Sequence, residues 1–230
     1  MYNNYGNSNN NDGDEKRVAP EKNWRIPKLF PELGQDILNK LKIYHTELIR
    51  FNGRINLISN RTERDADIVH IADCILATKL LINTTQQKQI FDIGSGNGLP
   101  GIVVTLLDAT RHIVFVDKDA RKIEFLKHIA SRLELKNVQF IHAKIEEVKD
   151  IEIHCAISRG FASITKSIMA LRKPCPIGAE YYHMKSDSWV REIAQIPTQV
   201  CKFWEPSLIG DYVLPTTNIK FSLVLTKKIA

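Results

Sequence analysis

Four glycines in eight residues, Gly94, Gly96, Gly98 and Gly101, separate two apolar runs in the stretch QIFDIGSGNGLPG, residues 89–101. Glycine takes positive φ and lets the backbone approach a ligand with no Cβ in the way. The run before the loop reads as a strand and the run after it, from Ile102 to Leu107, as a helix. Pro100 suits the start of that helix, where no N–H is needed. The free N–H groups there suit a polar or anionic group. The chemistry implied is cofactor binding; an ordinary glycine-rich βα turn is the plainer alternative. Gly96-Asn97-Gly98-Leu99-Pro100-Gly101 fits the dinucleotide pattern G-x-G-x-x-G, and Asp117 ends the next apolar strand, where a carboxylate can accept from a ribose diol. Asp117 would otherwise serve as a helix cap. Ile145 and Glu146 stand at the tip of a third strand, an apolar and a polar group suited to an adenine, and Leu99 is a second apolar contact. Two features weigh against a dehydrogenase: Asp92 lies two residues before Gly94, and the chain ends in a hairpin with no second domain for a reduced substrate.

Those residues need strands and helices to place them. Apolar residues at spacings of four, four, three, four and three, from Leu33 through Ile37, Leu41, Tyr44 and Leu48 to Phe51, predict an amphipathic helix with Pro31 in its first turn and Gly53 as its stop. A second helix is predicted over 64–82, with Ile68, Ile71, Ile75, Leu76 and Leu80 inward. Strands over 89–93, 112–117, 137–143, 153–158 and 179–185 then alternate with helices over 100–108, 119–134, 162–172 and 187–195, and a short helix is expected near Glu146. This alternation implies right-handed crossovers and a mainly parallel α/β sheet. Two last strands, 198–204 and 219–227, carry no helical pattern between them and should form an antiparallel hairpin. The expected organisation is a tail over 1–22, a helical cap over 23–88 and a cofactor-binding domain over 89–230. The tail is Asn-rich and too poor in aliphatic residues to offset its ordering entropy, so disorder is expected.

A chain of 230 residues, 43% hydrophobic and 25% charged, has the make-up of a soluble globular protein. No apolar run reaches the roughly 20 residues of a membrane span, and no secretory leader is visible. Cys74, Cys155, Cys175 and Cys201 are scattered without metal or redox spacing, so reduced thiols in the cytoplasm are expected, and no metal. The net charge of +6 favours a polyanionic partner. Arg54, Arg61 and Arg64, with Lys118, Arg121, Lys122, Lys127 and Arg132, are candidates for a nucleic-acid path, although interleaved acids allow a solvated face instead.

Beyond these readings, D92-I-G-S-G-N-G-L-P-G101 resembles the first motif of the bacterial 16S small-subunit rRNA guanine-N7 methyltransferases, also called glucose-inhibited division protein B. F51-N-G-R-I-N-L57, His70-Ile-Ala-Asp73-Cys, K118-D-A-R-K-I-E-F-L126 and S158-R-G-F-A-S163 are similar to further elements of that family, and the likeness runs from about residue 30 to 227. It implies a Rossmann-like class I methyltransferase fold, with a seven-stranded sheet, a C-terminal antiparallel hairpin and an N-terminal helical cap. It implies S-adenosylmethionine as cofactor, held by Gly94, Leu99, Ile145, Glu146 and Arg159, to which the loop and strand reading adds Gly96 and Asp117. It also implies methylation of guanine 527 in the 530 loop of 16S rRNA, free or in the small ribosomal subunit, by an enzyme expected to be a monomer. Departures include Gly160 in place of the family's Ala, Lys185-Ser186 in place of Lys-Gly, and Pro174-Cys-Pro-Ile-Gly178 in place of Pro-Gly-Gly. Another RNA base, another substrate, or a nucleotide-binding RNA module without catalysis remain the alternatives.

Guanine N7 carries an exposed lone pair and no proton, so methylation needs proximity and alignment but no general base. Arg159 is the catalytic candidate, able to contact the cofactor carboxylate or guanine O6, or else to form a structural ion pair. Phe161 could stack on a flipped base or belong to the core. With Arg54, Lys118, Arg121, Lys122 and Lys185 it completes the RNA-side candidates. Cys175 between two prolines resembles a cytosine-methylation nucleophile but lies off the fourth strand tip, and His70 with Asp73 is a metal pair or a link between cap and sheet.

Overall fold

Short runs rich in valine, isoleucine and phenylalanine, buried on both faces, form the centre of the molecule. The computed structural model describes residues 22–230; the tail expected over 1–22 lies outside them except for Lys22, which pairs with Glu63. The elements in order are α1 (Ile26–Leu29), α2 (Gln35–Ile55), a 3₁₀ turn (Asn60–Thr62), a π-helical stretch (Asp67–Ala72) leading into α3 (Asp73–Thr84), β1 (Gln89–Ile93) and α4 (Gly101–Leu107). Then come β2 (His112–Asp117), α5 (Ala120–Arg132), β3 (Val138–His142), a 3₁₀ turn (Ile145–Glu147), β4 (Cys155–Arg159) and α6 (Ile164–Ala170). The chain closes with β5 (Glu180–Ser186), α7 (Trp189–Ala194), α8 (Thr198–Cys201), β6 (Trp204–Val213) and β7 (Lys220–Lys228).

All seven strands join one sheet in the order β3-β2-β1-β4-β5-β7-β6. The first five are parallel, and β7 runs antiparallel to both β5 and β6. The order reverses between β1 and β4, so the ligand crevice lies outside the carboxyl ends of those strands. One apolar core joins Leu41, Tyr44 and Leu48 of α2 and Ile71, Ile75 and Leu81 to Ile102, Phe115 and Leu126. The opposite face of the sheet buries Phe91, Ile93, Val114 and Tyr181 with Ile164 and Ile168 of α6.

Several expectations are corrected. The helix α2 does not stop at Gly53; it runs on to Ile55 and ends at Asn56, whose φ of 50° is left-handed. Asparagine tolerates that conformation, while Gly53 sits in an exposed helical turn that needs no special freedom. Pro31 lies in the turn before α2, and Pro100 caps α4 from just outside it. The second helix begins at 67, wound first as a π-helix. Residues 198–201 are helical, and the penultimate strand is Trp204–Val213, displaced from the predicted 198–204. Its burial does not alternate cleanly, because it is the sheet's edge strand and carries a bulge between Leu208 and Gly210. That pattern conceals a strand from a periodicity reading.

Candidate functional site

The loop after β1 is fixed by its own polar groups. Ser95 Oγ donates to the Asp92 carbonyl at 2.7 Å and accepts from Val116 N–H at 2.9 Å, tying the loop to β2. Gly96 N–H donates to Asp117 Oδ2 at 2.8 Å, and Asp119 N–H donates to Asp117 Oδ1 at 2.9 Å. Asp117 therefore anchors the glycine loop, and the helix-cap role belongs to Asp119, whose side chain accepts from Arg121 N–H. Gly94, Gly96 and Gly98 all have positive φ. Gly98 and Gly101 meet a packing demand: a Cβ would lie 2.5 Å from Ile102 Cδ1 in the first case and 2.5 Å from Phe115 Cε1 in the second. Gly94 meets a different one, since a Cβ there would lie 2.5 Å from Phe161 Cδ2.

Beneath the loop, Asp92 is fully buried. Its Oδ2 accepts from Gly101 N–H at 2.9 Å, and its Oδ1 has no partner among the described residues. Burial raises its carboxyl to about 7, against the opposing pull of the Gly101 hydrogen bond. From above, Tyr44 Oη donates to the Asn97 carbonyl at 3.0 Å, so α2 pins the loop from the cap side. Sequence reasoning misses Asp92, Ser95, Asn97 and Tyr44 as site-forming groups. Tyr44 is legible there only as an inward apolar position, and Asp92 only as an acid near the glycines.

A cavity of about 320 Å³ opens at the strand tips, and Gly94, Asp117, Lys118, Lys122, Ile145, Glu146 and Phe161 are among its lining residues. Four cofactor candidates, Gly94, Asp117, Ile145 and Glu146, thus share one cleft with three RNA-side candidates, Lys118, Lys122 and Phe161. Ile145 is buried and supplies an apolar wall; Glu146 is exposed. Gly96 reaches this cleft through its bond to Asp117, whereas Leu99 is buried behind the loop and is not among the lining residues.

Arg159 stands elsewhere, in a second cavity of about 410 Å³ lined also by His70, Asp73, Met184, Lys185 and Phe221. Its Nη1 donates to Asp73 Oδ2 at 3.2 Å and to the Val69 carbonyl at 3.4 Å, and its Nη2 donates to His70 Nδ1 at 2.9 Å. His70 and Asp73 are therefore joined through an arginine, as a link between cap and sheet. Burial pushes the Asp73 carboxyl up, against the pull of Arg159, and Tyr212 Oη donates to Asp73 Oδ1 at 2.7 Å. Gly160 lines both cavities, so they meet at the tip of β4. Lys185 is engaged by Glu192 at 2.8 Å and by the Ala162 carbonyl.

The remaining candidates lie apart. Arg54 is exposed at the end of α2, and Arg121 is exposed and paired with Asp119. Cys175 is buried in the core on the α6 side, where burial pushes its thiol up to about 12; it is no nucleophile for either cavity.

A sheet of this order, with a glycine loop after β1 and an acid ending β2, defines a class I methyltransferase-type protein. A solved structure of the plantazolicin methyltransferase BpumL in complex with SAH has the same fold, with a TM-score of 0.52, 12% identity, and coverage of 84% of this chain and 99% of that one. The YcgJ protein of Bacillus subtilis superposes with a TM-score of 0.51 at 11% identity, over 67% of this chain and 99% of its own. The sequence profile described as rRNA small subunit methyltransferase G matches residues 37–205. Ribosomal RNA small subunit methyltransferase G 3 of Bdellovibrio bacteriovorus is 44% identical over 94% of this chain and 99% of its own length. Ribosomal RNA small subunit methyltransferase G of Bordetella avium is 27% identical over 85% and 87%. The chain belongs to the rRNA small subunit methyltransferase G family.

Proposed function

We propose that this enzyme transfers a methyl group from S-adenosylmethionine to N7 of a guanine in small-subunit rRNA, guanine 527 being the position the family resemblance implies. The observation that carries the reading is the pair of cavities meeting at Gly160, one suited to the cofactor and one to the acceptor base. The residues lining the first cavity suit S-adenosylmethionine. Asp117 has lone pairs to receive a ribose diol, Ile145 offers an apolar face to the adenine with Glu146 at its edge, and the bare Cα of Gly94 lets Phe161 close against the loop at the cleft wall. Lys118 and Lys122 stand beside the cleft where RNA phosphates would approach.

S-adenosylmethionine supplies an electrophilic methyl on a sulfonium. The guanine N7 lone pair would be the acceptor of that methyl, with the thioether as leaving group. Positive charge passes from sulfur to the purine and no proton moves, so the protein's task is to hold both partners in line and exclude water. Arg159 is placed for this: it lines the second cavity, and its bonds to Val69, Asp73 and His70 leave N–H capacity that suits a guanine carbonyl. A base entering the second cavity must leave its stack, and Phe221 gives that cavity an aromatic wall. The cap over 23–88 and catalytic domain over 89–230, a monomeric state and a cytoplasmic site complete the reading. No helix of the described residues is long and apolar enough to cross a membrane.

The test is methyl incorporation from labelled S-adenosylmethionine into small subunits or 16S rRNA lacking the modification, followed by borohydride and aniline cleavage at N7-methylguanine. A cleavage band at guanine 527 is expected. Incorporation without N7-specific cleavage would replace the N7 assignment with another position.

A further inference from the structure

His70 is held at both ring nitrogens. Arg159 Nη2 donates to its Nδ1 at 2.9 Å. A guanidinium has no lone pair to offer, so Nδ1 accepts and the ring proton sits on Nε2. That Nε2 is 2.9 Å from Thr62 Oγ1, which donates in turn to the Ser59 carbonyl at 2.9 Å. The chain of bonds thus runs from the 3₁₀ turn after α2 through His70 to the tip of β4. Burial, and then the Arg159 charge, lower the imidazole to about 3, so it stays neutral wherever the enzyme works. A protonated ring would have no acceptor to give Arg159.

The local backbone is built to the same end. His70 lies in the π-helical stretch Asp67–Ala72, a looser winding that is frequent at functional sites. The Val69 carbonyl in this stretch accepts from Arg159 Nη1. Asp73, one turn on, takes the other Nη1 contact, and Tyr212 of β6 holds Asp73 in place. Asp73 neutralises the arginine's charge. His70 does something different, because it bonds the opposite nitrogen and so fixes the rotation of the guanidinium plane. With that plane fixed, the N–H groups not bonded to Val69, Asp73 or His70 are held in one orientation, and Arg159 lines the second cavity.

We propose that His70 is a positioning residue for methyl transfer: in its neutral Nε2–H form it orients the Arg159 guanidinium toward the acceptor base. The proposal rests on the reading of the second cavity as the acceptor-base site. It assigns His70 to kcat, through the geometry of the reacting pair, and not to cofactor affinity.

Three variants separate the two ring contacts. His70→Asn places an amide oxygen near the position of Nδ1 and keeps an acceptor for Arg159. His70→Gln places its polar group near Nε2 and keeps the Thr62 side alone. His70→Phe keeps the ring and neither bond. The measurements are single-turnover methylation of unmodified small subunits at saturating S-adenosylmethionine, the calorimetric Kd for S-adenosylmethionine, and the melting temperature. His70→Phe and His70→Gln should lose tenfold or more in rate, His70→Asn should stay within about threefold of the native enzyme, and all three should bind cofactor within about twofold of it. In an Arg159→Ala background, His70→Gln should slow the enzyme no further, because His70 acts through Arg159. Equal rates for the Asn and Gln variants overturn the inference, and this comparison stands even where the Phe variant does not fold. A slow Arg159→Ala enzyme beside a native-rate His70→Gln enzyme overturns the inference alone. A native-rate Arg159→Ala enzyme overturns the acceptor-site reading beneath it as well.

Discussion

Arg159 shows how one side chain can belong to both stability and chemistry. Its ion pair with Asp73 is almost wholly shielded from solvent, and breaking a buried pair by removing one partner strands the other charge. Arg159→Ala should therefore lower the melting temperature, and lower methyl transfer per folded molecule more than tenfold, or more than about 1.4 kcal/mol of barrier. Arg159→Lys should recover part of the stability but little of the rate, since a point charge lacks the planar fork. Melting and single-turnover kinetics on the two variants check this, and a purely structural role would show as full rate in whatever folds. Gly94 gives a second prediction at this scale. A methyl there would collide with Phe161 and strain a φ of +67°, so Gly94→Ala should weaken S-adenosylmethionine binding at least tenfold with the sheet intact. Calorimetry reads it directly; an unchanged Kd would remove Gly94 from the cofactor wall. Gly96 has open space by comparison: the nearest atom to a Cβ there is the Gly94 carbonyl oxygen at 3.7 Å, so a side chain meets the strain of a φ of +55° rather than a packed neighbour.

The helices before the sheet hold the site through buried polar anchors. Asn52, buried near the end of α2, accepts the N–H groups of Leu57 at 2.7 Å and Ile58 at 2.8 Å through one oxygen, and its amide donates to Glu63 at 2.6 Å. It thereby turns the chain out of α2 and into the 3₁₀ turn that carries Thr62, the far end of the His70 bond chain. Replacing it with alanine leaves two inward N–H groups without an acceptor, at a cost of about 1–3 kcal/mol each before relaxation. Asn52→Ala should lower stability by roughly 2 kcal/mol or more in chemical denaturation. A change below about 0.5 kcal/mol, the range of ordinary surface substitutions, would mean that water or another acceptor replaces the amide.

Over the whole molecule, the burial of Asp92 sets a pH dependence. Its carboxyl goes from 3.8 to about 7 on folding, so between those values the folded protein keeps a proton that the unfolded chain has lost. Stability from this group is therefore greatest at the acid end and falls as pH rises from about 4 to 7, with no further change above or below that window. Asp92→Asn keeps an oxygen for Gly101 N–H and has no titration. The variant should gain on the native protein as pH rises through the window, and the difference in unfolding free energy between pH 4.5 and 7.5 measures it. Parallel curves for the two proteins would show that Asp92 titrates normally.

The sequence alone determined the alternation of strands and helices, and with it the parallel sheet, because burial on two faces demands continuous apolar runs and the longer helices α2 and α5 show an inward stripe. It determined the glycine loop and Asp117 for the same reason: local backbone chemistry is written in adjacent residues. The family resemblance carried Gly94, Leu99, Ile145, Glu146 and Arg159; Gly94, Ile145 and Glu146 share one cleft with Asp117, while Leu99 and Arg159 do not line it. Only the tertiary structure decided where Arg159 points, because its partners His70 and Asp73 lie 89 and 86 positions away in the chain. The same holds for the bond from Tyr44 to the glycine loop, 53 residues on, and for the orphaned oxygen of Asp92. Periodicity reports which way a residue faces within its own element. Which distant group it meets there depends on how the helices and the sheet close on one another.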